Sequence, residues 1–329
     1  MSRYEQWDIV SSVGLTALVV AAGRSVDTHR TDALISDPYA ERFVDAAAPP
    51  TPLPTRPVAP RDDSEDELWQ MMSGYMGVRT RFFDEFFDAA GDAGVRQAVI
   101  LAAGLDARAQ RLDWADGTTL SEVDQPAVLT FKDDVLADDE ARCDRRPIAV
   151  DLRDDWTGAL DDAGLDPAAP TAWLAEGLLP YLPAEAQDGL LTAVDERSAP
   201  GSRIAVEDFT NLGDQLSDPG FRRIAAGIGV DMSALIHTDH RPDPGGSPGR
   251  RARLGGAARP RDRRRRRLGP RVRPADAATQ REVDLPDRRA HLTGPSRRVR
   301  IRGHAAWRSL SHPFPAPPVR RFPWAGRPA

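Results

Sequence analysis

An open α/β fold with a doubly wound, mostly parallel sheet is predicted for this chain by three observations. From residue 97 onward, short apolar runs alternate with segments of helical period. The run Gln97-Ala98-Val99-Ile100-Leu101 closes on Ala102-Ala103-Gly104. A second short run, Glu122-Val123-Asp124, closes on an acid. Alternating strand and helix segments imply a parallel sheet with helices on both faces. Ligands of such sheets sit at the carboxyl ends of the strands, where the glycine and the acid fall. A glycine lets the backbone approach a ligand closely, and an acid ending the next strand suits ribose hydroxyls. The further glycines of a dinucleotide fingerprint are missing, so a nucleotide-like cofactor without a pyrophosphate fits better.

The elements ahead of the sheet are helical. Residues 8–30 carry Leu15, Leu18 and Val19 at helical spacing behind Ser11-Ser12, a plausible cap. Asp37-Pro38-Tyr39-Ala40 opens a second helix, with proline suited to its first turn. Residues 48–60 are proline-rich and read as a linker or exposed loop. Residues 65–90 form a long amphipathic helix. Its Leu68, Met71, Met72, Tyr75, Phe82, Phe83, Phe86 and Phe87 recur at helical spacing, the pattern of a core-facing stripe. Strands are predicted at 97–102, 118–123, 146–151, 171–176 and 203–208. Helices are predicted at 106–113, 125–138, 155–163 and 184–197. Gly104, Asp124, Asp151 and Glu176 then fall together at strand ends.

Composition narrows the class further. The 329 residues suffice for one sizeable domain or two smaller ones. The formal net charge of −6 hides two opposite parts: residues 1–240 hold 44 acids against 20 cations, and 241–329 hold 6 against 24. Lys132 is the only lysine. Cys143 is the only cysteine, which excludes an internal disulfide and fits a reducing cytoplasm. Its polar surroundings read as those of a passive thiol. The apolar run from Val13 to Ala22 is shorter than the roughly 20 residues a membrane-spanning helix needs, so no membrane span is expected. His237 and His240, with Asp239 between them, lack a third strong ligand, so no metal site is expected.

Periodicity fades after about Pro244. Residues 245–329 are built from Arg, Pro, Gly and Ala, with an unbroken arginine run from Arg263 to Arg267. These residues are written by codons of G and C alone, so a frameshift in a GC-rich gene would produce them. A basic tail for nucleic acid or anionic lipid is the functional alternative.

In order along some 230 residues, the motifs resemble a known family. They are Ser12-Val13-Gly14-Leu15-Thr16-Ala17, Asp37-Pro38-Tyr39-Ala40, Arg79-Thr80-Arg81-Phe82-Phe83-Asp84, Ile100 to Arg108, Glu122-Val123-Asp124-Gln125-Pro126, Val150-Asp151-Leu152-Arg153, and Ala175-Glu176-Gly177-Leu178-Leu179-Pro180-Tyr181-Leu182. Together they resemble the S-adenosyl-L-methionine-dependent methyltransferases of the mycobacterial type, which are similar to the leucine carboxyl methyltransferase family.

The resemblance implies a Rossmann-like class I methyltransferase fold with an N-terminal helical cap. The cap would span residues 1–95, the cofactor-binding core 96–244, and the aberrant tail 245–329. Ala103 and Gly104 would lie against S-adenosyl-L-methionine. Asp124 would bind the ribose hydroxyls, while Asp151 and Leu152 would flank the adenine. Glu176 would face the methionine end, and Arg79, or less directly Arg81, would bind the cofactor's carboxylate. The alternative for both arginines is pairing with Asp84 and Glu85 on the helix surface.

Gln110 and Ser121 stand where the family usually has aromatics. The fold class also ends with two further strands beside the fifth. Here they are expected to be missing, leaving strand 203–208 with an unpaired edge. The function implied is O-methyl transfer to a carboxylate of a small metabolite, in the cytoplasm. The alternatives are a cofactor-binding relic without turnover, and nucleic-acid binding through the basic tail.

Overall fold

The structure is a computed structural model of the chain and describes residues 9, 10, 12–57, 64–208, 217, 219, 222, 225, 226, 231–237 and 279–284. The expectations for His240, for the arginine run and for most of the tail lie outside the described residues.

Among the described residues, six strands form one sheet. They are β1 (Gln97–Leu101), β2 (Thr119–Asp124), β3 (Asp144–Ala149), β4 (Thr171–Ala175), β5 (Arg203–Asp208) and β6 (Thr279–Asp284), in spatial order β3-β2-β1-β4-β5-β6. The first five run parallel and β6 pairs antiparallel with β5. The chain winds outward from β1 to β3, then crosses back to lay β4 on the other side of β1. The switch point of the topology is therefore the gap between β1 and β4, where an open sheet admits a ligand.

The central strands read as continuous apolar runs because both their faces are covered. Alternation along β1 divides its residues between two cores. Val99 and Leu101 join Trp173, Ala175, Ile204 and Val206 against Trp156, Leu160, Leu190 and Val194. The last four come from α6 (Trp156–Asp162) and α7 (Ala184–Glu196). Ala98 and Ile100 join Leu120, Ala172, Leu174 and Ala205 under Phe83, Phe86, Phe87 and Ala90 of α3 (Ser64–Asp92). The aromatic stripe of α3 is thus core packing at its C-terminal half. Farther toward the N-terminus the stripe leaves the core, and Met71 is 39% exposed.

The cap is built by α1 (Ser12–Thr28), α2 (Ala40–Ala47) and α3. Leu15, Leu18, Ala21, Ala22 and Val26 give α1 one buried face at helical spacing. Phe43 and Val44 of α2 share that core with Leu105 and Ala107 of the sheet's first loop. Asp37 opens α2, accepting the backbone N–H groups of Tyr39 and Ala40 at 3.2 and 3.1 Å. Its other oxygen takes the Arg24 guanidinium at 2.8 Å, tying α2 to α1. Two short helices complete the layers, α4 (Arg108–Arg111) after β1 and α5 (Pro126–Val135) after β2.

One expectation is corrected. The edge of β5 is not left unpaired, because all six of its residues are in register with β6, from Arg203 opposite Asp284 to Asp208 opposite Thr279. One of the two C-terminal strands is therefore present. Its sequence Thr-Gln-Arg-Glu-Val-Asp has no apolar alternation. An edge strand can be held by backbone pairing alone, so the pattern gave no signal.

Candidate active site

The carboxyl ends of the parallel strands carry, in spatial order, Asp151 beyond β3, Asp124 ending β2, Gly104 after β1, Glu176 after β4 and Glu207 near the end of β5. The residues predicted for the site therefore stand along one rim, centred on the switch point.

The turn after β1 is built from two left-handed residues, Ala102 at φ 53° and Gly104 at φ 49°. They fold the chain over the end of β2, where Ala103 N–H donates to the Val123 carbonyl at 3.1 Å. Gly104 N–H then donates to Asp124 Oδ2 at 2.6 Å, and Gln125 N–H donates to Oδ1 at 2.7 Å. Among the described residues, a Cβ on Gly104 would meet nothing nearer than the Ala102 carbonyl oxygen at 3.9 Å, so they leave room for a ligand on that side of the turn. Burial raises the Asp124 carboxyl above its ordinary range, opposed by the two N–H groups and by Lys132. Each Asp124 oxygen accepts one bond here and keeps a lone pair for another donor.

Asp151 lies two residues beyond β3. Its Oδ1 accepts from Arg153 N at 2.9 Å and Nε at 2.8 Å, and its Oδ2 from Nη2 at 2.5 Å. These bonds hold its carboxyl below the usual range. Leu152 packs on the edge of the core formed with α6 and α7.

Glu176 and Arg79 meet at the far side of the switch point. Arg79 Nε is 3.2 Å from Glu176 Oε1, and Nη2 is 2.8 Å from Glu207 Oε2. Nη1 donates to the Met76 thioether sulfur at 3.3 Å, a weak acceptor. Burial alone would lower the Arg79 pKa, but Glu207 and then Glu176 outweigh it and hold the guanidinium charged. Gly177 makes this approach possible: its φ is 64°, and a Cβ there would stand 2.7 Å from Arg79 Nη2. The surface-pairing alternative applies to Arg81, which bonds Glu85 at 2.8 Å and is 56% exposed, and not to Arg79.

The sequence assigned no site role to several residues of this cluster. Arg108 is buried at its centre. It bonds Asp84 Oδ1 at 2.8 Å, Glu176 Oε2 at 2.7 Å and the Asp106 carboxylate. Arg111 reaches both oxygens of Asp84 at 2.6 Å. Burial would raise the Asp106 carboxyl, but Arg108, then Lys132 and Arg111, bring it down to about 2. Tyr75 donates to Glu207 Oε1 at 2.5 Å. The one available hint was that Tyr75 and Arg79 stand four apart on α3 and so share a face. The two departures from the family pattern are both buried, and Gln110 Oε1 has no hydrogen-bond partner among the described residues.

Two further groups flank the site. Lys132 of α5 is fully buried, with Nζ 2.9 Å from Glu122 Oε1. Arg145 meets the other oxygen of Glu122 at 2.7 Å. The Cys143 thiol is pushed up to about 12 by burial, Glu122 and Asp144, so it stays protonated and unreactive at neutral pH. Among the described residues, no group of three or more His, Cys, Asp or Glu could hold a metal ion. No helix of the described residues is long and apolar enough to cross a membrane.

The described residues thus form a Rossmann-like sheet with acids along its carboxyl rim and a helical cap packed on it. The profile of the leucine carboxyl methyltransferase family matches residues 17–195. A protein of Saccharopolyspora erythraea is 52% identical over 248 residues, covering 74% of this chain and 84% of its own length. A protein of Rhodococcus jostii is 54% identical over 248 residues, covering 73% of this chain and 82% of its own. Both carry the name "Putative S-adenosyl-L-methionine-dependent methyltransferase". Among solved structures, a DUF574 family protein from Streptomyces avermitilis is similar at 16% identity and a TM-score of 0.41, covering 66% of this chain and 77% of that one. This chain belongs to the leucine carboxyl methyltransferase family.

Proposed function

We propose that this chain is an O-methyltransferase that binds S-adenosyl-L-methionine along the rim and methylates a carboxylate of a small molecule. The observation that carries the proposal is the Gly104–Asp124 bracket at the switch point, with room on the ligand side of the glycine. Asp124 keeps lone pairs for two ribose hydroxyls. Asp151 and Leu152 stand on the adenine side of it, and Ala103 and Gly104 against the middle. Arg79 Nη1, engaged among the described residues only by the weakly accepting Met76 thioether, supplies a donor for the cofactor's carboxylate. Glu176 stands beside it for the amino group. The amino-acid end of the cofactor is zwitterionic, so an arginine and a glutamate side by side match both of its charges.

The cofactor, when bound, supplies a methyl group activated on a sulfonium. The protein's task is then to align the acceptor and exclude water. The cap performs the second part. Tyr75 of α3 bonds Glu207, and Tyr181, beyond β4, stands 3.3 Å from the hydroxyl of Thr16 on α1. These contacts draw α1 and α3 down over the rim between β4 and β5. A carboxylate acceptor, with a pKa of about 4, arrives ionised and needs no proton acceptor. A phenol or alcohol would need one, whereas Asp151, Glu176 and Glu207 of the rim are paired with arginines and Asp124 is held by backbone N–H groups.

Calorimetric titration with S-adenosyl-L-methionine, followed by turnover on panels of small acids, phenols and alcohols, tests the proposal. The expected result is saturable binding and methyl ester formed from an acid. Methylation confined to phenols or alcohols would overturn the carboxylate assignment. Binding without turnover on any panel would favour the relic.

A further inference from the structure

We infer that Glu207, braced by Tyr75, is a positioning residue that aims the Arg79 guanidinium at the carboxylate of the bound cofactor. The inference rests on the reading of Arg79 given above. Arginine ends a long side chain with many rotamers, and a single ion pair would leave its plane free to turn. Arg79 is held at two points instead, by Glu207 at Nη2 and Glu176 at Nε. Glu207 lies on β5 and Glu176 directly follows its parallel neighbour β4, where Ala175 is in register with Val206, so the sheet sets their separation.

Glu207 is the more firmly fixed of the two. Its side chain is 1% exposed, against 12% for Glu176. Its second oxygen is capped by the Tyr75 hydroxyl at 2.5 Å. Tyr75 lies one helical turn before Arg79 on α3, so both ends of the brace stand on one helix. Gly177 lets Arg79 Nη2 come close to the chain beyond β4. The remaining contact of Arg79, to the Met76 thioether, is the weakest of the three and the one a carboxylate would readily replace. Glu207 itself touches neither the cofactor nor the acceptor. It acts through Arg79.

The test compares two probes, S-adenosyl-L-homocysteine, which has the amino-acid end, and 5′-methylthioadenosine, which lacks it. Their affinities are measured by calorimetry for the wild type, Glu207→Gln, Tyr75→Phe and Arg79→Ala. Glu207→Gln is expected to weaken S-adenosyl-L-homocysteine about tenfold and to leave 5′-methylthioadenosine unchanged, because only the former has a carboxylate for Arg79 to grip. Tyr75→Phe is expected to move the same ratio by about threefold. It serves as the readout should Glu207→Gln not fold. The inference is overturned if both probes weaken equally or neither changes. If Arg79→Ala also leaves the ratio unchanged, the reading of Arg79 fails. If Arg79→Ala changes the ratio and Glu207→Gln does not, only the brace fails.

Discussion

Asp124→Ala is expected to raise the dissociation constant for S-adenosyl-L-methionine at least about 100-fold. Two hydrogen bonds from ribose hydroxyls to an ionised acceptor contribute about 1.5 kcal/mol each or more, and every 1.4 kcal/mol is tenfold. The loss does not stop there, because Gly104 N–H and Gln125 N–H would also lose their acceptor, and with it the turn would lose its brace. Asp151→Ala, at an acid already paired with the half-exposed Arg153, is expected to cost about tenfold or less. The pH dependence has a definite sign. Burial raises the Asp124 pKa, so the ionised form proposed to bind ribose is lost at a higher pH than an ordinary aspartate would show. Affinity should therefore decline on the acid side earlier than a model carboxylate predicts. Calorimetry at stepped pH on the wild type and both variants checks this. Equal losses for the two variants would remove Asp124 from its special place.

Arg108→Met should damage stability more than any other single change in the cluster. Arg108 is the shared cation of Asp84, Asp106 and Glu176, and it joins α3 to the loop after β1 and the end of β4. Removing one partner from a buried ion pair typically costs about 3–5 kcal/mol. That is a large part of the roughly 5–15 kcal/mol that holds a domain folded. Arg111 remains for Asp84 and Arg79 for Glu176, so Asp106 is the acid most completely stranded. In the wild type, its depressed pKa of about 2 gives stability that is fully present above the unfolded value near 4 and lost as pH falls through about 2. In the variant that contribution is gone, and protonating the stranded acid relieves the penalty. The gap between variant and wild type should therefore narrow as pH falls. Urea unfolding at neutral and acid pH measures it. A loss under about 1 kcal/mol would show that the hub is not what holds α3 to the rim.

Much of the fold was legible because burial leaves a periodic trace. β1 and β4 are covered on both faces and appear as apolar runs, and α3 repeats its phenylalanines on the helical period. β3 was displaced by two residues, since Asp144 and Arg145 are charged and sit on a sheet edge. Asp151 and Glu176 were legible because each directly follows an apolar run, and Asp124 because it closes a predicted strand. Arg108, Glu207 and Tyr75 were not, because the partners that bring them to the rim lie far along the chain, 68 residues away for Arg108 and Glu176 and 132 for Tyr75 and Glu207. Such pairings follow from strand order, which no local window contains. For β6, a polar edge strand satisfied by its backbone offers no pattern to find.

The chain's only primary side-chain amine is sealed between α5 and β2, with its nitrogen against Glu122. An amine-directed reagent such as an acylating label should reach that nitrogen only when α5 lifts away. Modification of Lys132, followed by peptide mass spectrometry, would then clock a local opening beside the turn that brackets Asp124. The rate should slow when S-adenosyl-L-methionine is present. Labelling as fast as that of a free lysine would mean that the helix seals nothing.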